Sequence, residues 1–212
     1  MTPRAKLTLS FCAILLLFGV NFGVYFWTVN RRNTAVQNLD AALSRVAVLS
    51  AVHQDLDNLT KEVALLSQLK FEEGSSAPDP GDQKSFFQRI DSLQSKTDQL
   101  KKLCDTVRTP EIEPFTGAVD DLAQSWKTFY RNLGVQQAKA VTELAVRTEP
   151  LTERVTAVLL PSLQKAINQQ AIAAKNALSE ITQWADQFTF FVFIISLILA
   201  SLLAVLGIQA SA

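Results

Sequence analysis

His53 and Asp57 stand four residues apart in a stretch of helical periodicity, with Asp55 between them, so the pair shares one helix face. Two ligands of a metal site take that spacing, but no third ligand is identifiable, and a solvated helix face fits the same residues. The chain has a single histidine, so imidazole acid–base chemistry rests on His53 or is absent. Asp120 and Asp121 precede an apolar stripe and read as solvent-facing rather than as a paired acid and base. Trp126, Lys127, Tyr130 and Arg131 bring two flat rings and two cations onto neighbouring turns, with Lys139 further on. An arginine there can clamp a carboxylate through two parallel hydrogen bonds, against a wall made by the rings. The alternative puts Trp126 in a core stripe and leaves Arg131 an ordinary surface cation. Of the two cysteines, Cys12 lies in an apolar run and Cys104 in a helix seam; they make neither a disulfide framework nor a zinc site. A disulfide across a dimer through Cys104 is the minor alternative. No G-x-x-x-x-G-K-[ST], G-x-S-x-G or H-E-x-x-H motif occurs, so no enzyme and no cofactor is expected.

The elements that position these residues are helices. The 212 residues are 48% apolar, with only seven glycines, and Ala, Leu, Gln and Lys are abundant, which points to an all-α protein. Twenty basic residues balance twenty acidic ones, and no basic patch is present to neutralise phosphates, which excludes nucleic acid as a partner.

Two stretches are apolar on every face. Residues 188–208, FTFFVFIISLILASLLAVLGI, carry no charge and no proline. At about 1.5 Å per residue such a helix spans roughly 30 Å, the thickness of a hydrocarbon core. Residues 7–29 form a second charge-free run after Arg4 and Lys6. It is too long for the apolar core of a cleaved signal peptide and does not end at a small-x-small site, so it reads as an uncleaved anchor. Arg4 and Lys6 favour a cytoplasmic N-terminus, Arg31 and Arg32 oppose it, and a long intervening domain translocates largely regardless of charge. The expectation is a two-span protein of the cell inner membrane, its termini (residues 1–6 and 209–212) cytoplasmic and residues 30–187 periplasmic or extracellular. Tyr25, Phe26, Trp27 and Trp184 sit at the domain-facing ends of both spans, as an aromatic belt does. Gly19 and Gly23 in the first span, and Ser196, Ala200 and Ala204 in the second, have the small-residue spacing that lets helix backbones approach closely; such patterns also arise by chance. Asn21, polar at mid-depth, is expected to face a neighbouring helix.

Between the spans, apolar residues recur every three or four positions in four segments. The first carries Val36, Leu39, Leu43, Val46, Leu49, Val52, Leu56, Leu59, Val63, Leu66 and Leu69. The three-residue steps at Val46, Leu49 and Val52 should shift its stripe locally. Residues 72–83, EEGSSAPDPGDQ, read as a mobile loop. The second segment, from about Lys84 to Arg108, presents Phe86, Ile90, Leu93, Leu100, Cys104 and Val107, with Thr97 filling one slot. After a turn at 109–114, the third shows Phe115, Val119, Leu122, Trp126, Phe129 and Leu133, ended by Gly134. The fourth starts near Gln136 or near Thr148, contains Pro161 as an expected kink, and then shows Leu160, Leu163, Ile167, Ala171, Ala174, Leu178, Ile181, Ala185 and Phe188. The expected fold is a membrane-anchored antiparallel four-helix bundle flanked by two transmembrane helices.

That layout, with Trp126-x-x-x-Tyr130 followed by Gly134 and Ala138, resembles the four-helix-bundle ligand-binding module of bacterial receptors of the methyl-accepting chemotaxis type. The resemblance covers the whole chain and implies a periplasmic bundle that dimerises. It implies a small-molecule ligand or a periplasmic binding protein as partner, besides the lipid bilayer. Signalling would run by small displacements of the last helix through the membrane, and such modules also front histidine kinases. It directs ligand binding to the end of the bundle distal from the membrane, near Trp126, Lys127, Tyr130 and Arg131. Only four residues follow the second span, too few for a HAMP relay or a kinase. The expectation is therefore a front piece of a longer receptor or a stand-alone sensor-like protein. The competing function is a membrane-anchored scaffold that holds a protein partner and no small ligand.

Overall fold

The computed structural model describes the backbone of residues 3–72 and 79–211, and the side chains of residues 11–12, 15–16, 18–68, 79, 81–199 and 201. Among the described residues the chain is all-helical, without a strand. Helix α1 spans Pro3–Glu72, α2 Pro80–Asp105, α3 Ile112–Asn132, α4 Gln137–Glu143, α5 Glu149–Glu153 and α6 Leu160–Ser211. Two π-helical stretches, Leu144–Thr148 and Arg154–Leu159, join α4 to α5 and α5 to α6. The residues at their borders keep right-handed helical dihedrals, so the fourth helical run is unbroken from Gln137 to Ser211. Of the two starting points open in the sequence, Gln136 is the one used; it is the non-helical residue before α4.

Each π-helical stretch lies just ahead of a proline, Pro150 or Pro161. Proline offers no N–H, and its ring collides with the carbonyl four residues back. Widening the turn to an i→i+5 register moves that carbonyl away while the helix continues. The distortion expected at Pro161 therefore takes the form of a π-helical stretch upstream, and the helix does not break. At the start of α2 the structure corrects the sequence reading. Pro80 opens the helix four residues before Lys84, because Asp79 caps it: its Oδ1 accepts from Gly81 N at 3.2 Å, and proline suits a first helical turn. The rest of the expected loop, residues 73–78, lies outside the described residues.

The chain divides into two compact units, Ala41–Ile172 and the paired segments Met1–Asp40 and Ala173–Ala212. In the first, four helical stretches share one core. Leu49, Val52, Leu56, Leu59 and Val63 of α1 meet Phe86, Ile90, Leu93, Leu100 and Cys104 of α2, the α3 stripe, and Val155, Leu160, Leu163 and Ile167 of the fourth run. All six residues of the expected α3 stripe are wholly buried. The α1 stripe shifts ahead of Val46: Ala42 and Arg45 are buried while Leu43 is half exposed. Val107, expected on the α2 seam, is largely exposed. Polar pairs fix the directions. Arg89 and Lys96 of α2 pair with Glu62 and Asp55 of α1, so the two helices run antiparallel. Lys127 pairs with Asp91 and Lys101 with Glu113, so α2 and α3 do also. Arg45 Nη1 donates to the Leu103 carbonyl (3.5 Å) near the C-terminus of α2, where a cation is favoured by the exposed carbonyls.

In the second unit the two segments also run antiparallel. Trp27 meets Trp184 edge to face at 5.5 Å, Trp184 stacks on Phe188, and Arg31 lies 4.8 Å over the Trp27 ring. Asn21 Nδ2 donates to Ser196 Oγ at 3.4 Å, as the polar residue in an apolar run was expected to do. A Cβ added to Gly19 or Gly23 would meet nothing within 4 Å among the described residues. The side chains of Ala200 and Ala204 lie outside the described residues. The fourth run, Gln137–Leu199 as far as its side chains are described, is long and apolar enough to cross a membrane by length and composition. Near its end the large apolar residues stand unpacked: Phe190, Phe191 and Phe193 are each more than 60% exposed. Phe11, Leu16, Phe18 and Phe22 of α1 are exposed to a similar degree.

Candidate functional site

Trp126 divides the expected ligand cluster. Its ring is wholly buried and lines a cavity of about 290 Å³ in the unit Ala41–Ile172. Lys127 leaves the cavity for α2, where its Nζ donates to Asp91 Oδ1 (2.7 Å) and Gln94 Oε1 (3.3 Å). Tyr130 is buried against Phe86, its ring stacked at 4.7 Å. Arg131 lies 5.5 Å over Phe87. The four residues thus do not form one pocket: Trp126 faces one side of α3, and the other three are taken up by α2. Burial, with Asp82 and Glu62 nearby, pushes the Tyr130 hydroxyl above the usual tyrosine range.

The remaining walls of the cavity come from α1 and the fourth run. Thr60, Val63, Ala64 and Ser67 line it from α1; Leu144, Thr148, Glu149, Thr152, Glu153 and Thr156 line it from the other side. Both π-helical stretches contribute, so the register changes forced by Pro150 and Pro161 decide which side chains reach the space. One of these, Thr148, is tied to α3. The Ser125 hydroxyl, wholly buried, lies 2.8 Å from Thr148 Oγ1 and donates to Glu143 Oε1 at 2.7 Å.

Two of the lining residues each hold a buried polar atom without a hydrogen-bond partner, Trp126 Nε1 and Thr60 Oγ1. Leaving such a group unpaired costs about 1–3 kcal/mol. The indole N–H is a donor only, so it asks for an acceptor. Glu149 and Glu153 are exposed, four residues apart on one helix face, and neither has an ion pair among the described residues. The cavity lining includes no cation.

The other candidates are largely taken up by internal ion pairs and ring contacts, although Glu62 Oε2, in the groove between α1 and α2, has no hydrogen-bond partner. A groove of about 430 Å³ between α1 and α2 is lined by Asp55, Lys61, Glu62 and Arg89, each of which forms an ion pair. Asp57 is bonded to Lys61, so the face it shares with the exposed His53 carries an internal ion pair, and no cluster of three metal-ligating residues occurs among the described residues. Asp120 accepts from Gln94 Nε2 (3.0 Å). Cys104 is buried; desolvation raises its thiol pKa, against the lowering effects of Arg45 and a hydrogen bond to Thr109. In the other unit, Trp27, Arg31, Glu180 and Trp184 line a cavity of about 320 Å³ whose cation already rests on the Trp27 ring.

Sequence reasoning marked Trp126 but missed Thr60, Thr148, Thr152 and Thr156. Threonine is common on helices, and only tertiary packing brings residue 60 beside residues 148–156. Compared with known proteins, the chain matches no family model, no curated protein and no solved structure.

Proposed function

We propose that the chain is the signal-sensing part of a membrane receptor of the chemoreceptor or sensor-kinase kind. In this reading residues 30–187 form an antiparallel four-helix bundle outside the inner membrane, held between spans at 7–29 and 188–208, and the protein acts as a homodimer. Occupancy of the Trp126 cavity shifts the fourth helical run between two arrangements, and the shift passes to the second span. The observation that carries this is continuity: the residues lining the cavity at 144–156 and the uncharged stretch at 188–208 belong to one uninterrupted helical run. A continuous helix carries displacement or rotation at one end to the other. The exposed apolar side chains at 11–29 and 190–199 support a lipid environment for both segments, since aromatic surface on this scale is unfavourable in water.

Fluorine NMR tests the coupling in full-length protein carrying fluorotryptophan in lipid nanodiscs. Ala64→Phe fills the cavity beside Trp126. The Trp184 resonance is expected to move together with that of Trp126. A Trp126 resonance that shifts while Trp184 stays fixed would refute transmission and favour the scaffold reading.

A further inference from the structure

We propose that a phospholipid with an ethanolamine headgroup seats in the cavity between residues 27–31 and 180–185, at the domain-facing ends of the two spans. The inference rests on both charge-free stretches lying in lipid. Trp27 and Arg31 stand one turn apart on α1, and Glu180 and Trp184 one turn apart on α6. The two segments run antiparallel, and the rings meet at 5.5 Å. Both charges therefore stand one turn beyond the ring pair, on the side away from the bulk of residues 7–29 and 188–208. The cavity, of about 320 Å³, has an aromatic floor toward the bilayer and a charged rim toward water. That is the order of polarity in the headgroup zone, where indole rings are favoured.

The rim carries one charge of each sign, and the two do not pair. Neither Arg31 nor Glu180 forms an ion pair or a side-chain hydrogen bond among the described residues. Arg31 rests on the Trp27 ring at 4.8 Å, a contact that uses its charge and leaves its N–H groups to donate elsewhere. A guanidinium gives paired N–H donors to a phosphodiester, and a primary ammonium gives charge-assisted hydrogen bonds to a carboxylate. A headgroup with both charges satisfies Arg31 and Glu180 together. An anionic headgroup without an amine answers Arg31 alone and sets its phosphate beside Glu180. A choline headgroup has no N–H to offer Glu180. The volume sits at the small end of ligand pockets, so the headgroup enters and the acyl chains stay in the bilayer.

The test uses the full chain carrying fluorotryptophan in phosphatidylcholine nanodiscs, doped with increasing fractions of phosphatidylethanolamine or phosphatidylglycerol of the same acyl chains. The Trp27 and Trp184 fluorine resonances are expected to shift saturably with phosphatidylethanolamine, at a fraction several-fold lower than any shift with phosphatidylglycerol. Glu180→Gln and Arg31→Gln should each weaken that response roughly tenfold, with near-ultraviolet circular dichroism checking that each variant is folded. Arg32→Gln, beside the lining but not part of it, should leave the response unchanged. Equal responses to the two doped lipids overturn the assignment, as does no response to phosphatidylethanolamine or one that neither Glu180→Gln nor Arg31→Gln changes. So does a loss in Arg32→Gln as large as that in Arg31→Gln. Soluble phosphoethanolamine that produces the same shift in undoped nanodiscs overturns a lipid as the occupant. Insertion separates the site from the reading beneath it. Protein that inserts and shows no preference for phosphatidylethanolamine leaves the spans standing and refutes the site. Protein that stays in the aqueous phase on reconstitution refutes both.

Discussion

Ser125→Ala removes a hydroxyl that holds the π-helical stretch at 144–148 onto α3. Ser125 Oγ donates to Glu143 Oε1 at 2.7 Å and lies 2.8 Å from Thr148 Oγ1, with Ser125 wholly buried and Thr148 2% exposed. The substitution leaves the Thr148 hydroxyl buried without its partner and deprives Glu143 of a donor. Stranding one buried polar group costs about 1–3 kcal/mol. For a chain of this size that lowers Tm by roughly 2–12 °C. Thr148→Val removes the other side of the same bond. If the hydroxyls act as a pair, the double variant loses less than the sum of the singles, with a coupling of about 1 kcal/mol. The assay is thermal unfolding of the full chain in detergent micelles, followed by tryptophan fluorescence, with the four proteins compared under identical conditions. Additive losses, or a Ser125→Ala protein as stable as wild type, would refute the claim that this bond anchors the fourth run.

Three further outcomes follow from buried groups. Asp79→Ala removes the cap of α2 and should cost about 1 kcal/mol, read in the same unfolding assay, while Asp79→Asn should retain most of it; equal losses would argue against capping. With Cys12→Ser in place, Cys104 should resist a water-soluble maleimide in the folded protein and react on denaturation, because burial disfavours its thiolate; fast labelling of the folded protein would contradict the placement. Burial raises the Tyr130 pKa, so above the ordinary tyrosine value of about 10 the unfolded chain releases a proton that the folded chain keeps, and stability falls as pH rises. Tyr130→Phe should flatten that alkaline decline relative to wild type in urea titrations at increasing pH; an unchanged slope would contradict it.

The fold was legible where burial follows one period. Phe115, Val119, Leu122, Trp126, Phe129 and Leu133 step by four and three residues, and all are wholly buried. In the fourth run the expected stripe keeps its register from Leu160 onward: Leu163 and Ile167 are buried, and Leu178, Ile181 and Phe188 are the partly covered residues of their turns. Legibility failed between residues 144 and 159, where π-helical turns break the period and leave Val146 and Val158 exposed. Two prolines gave the only signal of that irregularity. The start of α2 was misread because glycine, serine and proline outweighed Asp79-Pro80, a compact helix-start signal. At the site, the sequence marked the aromatic member but not its surroundings. Lys127 and Arg131 were grouped with Trp126 by proximity along the chain, yet on a helix neighbours in sequence face different partners. The hydroxyls that complete the cavity come from residues far apart in sequence, and periodicity carries no information about them.

Site-directed cysteine labelling tests the lipid environment of the last helix most directly. In a Cys12→Ser/Cys104→Ser background reconstituted into liposomes, single cysteines at Phe193, Ile195 and Ile198 are expected to resist a charged, water-confined thiol reagent, while one at Lys175 reacts readily. Labelling of all four at similar rates in sealed vesicles would contradict a membrane-crossing segment, and with it the sensor built on it.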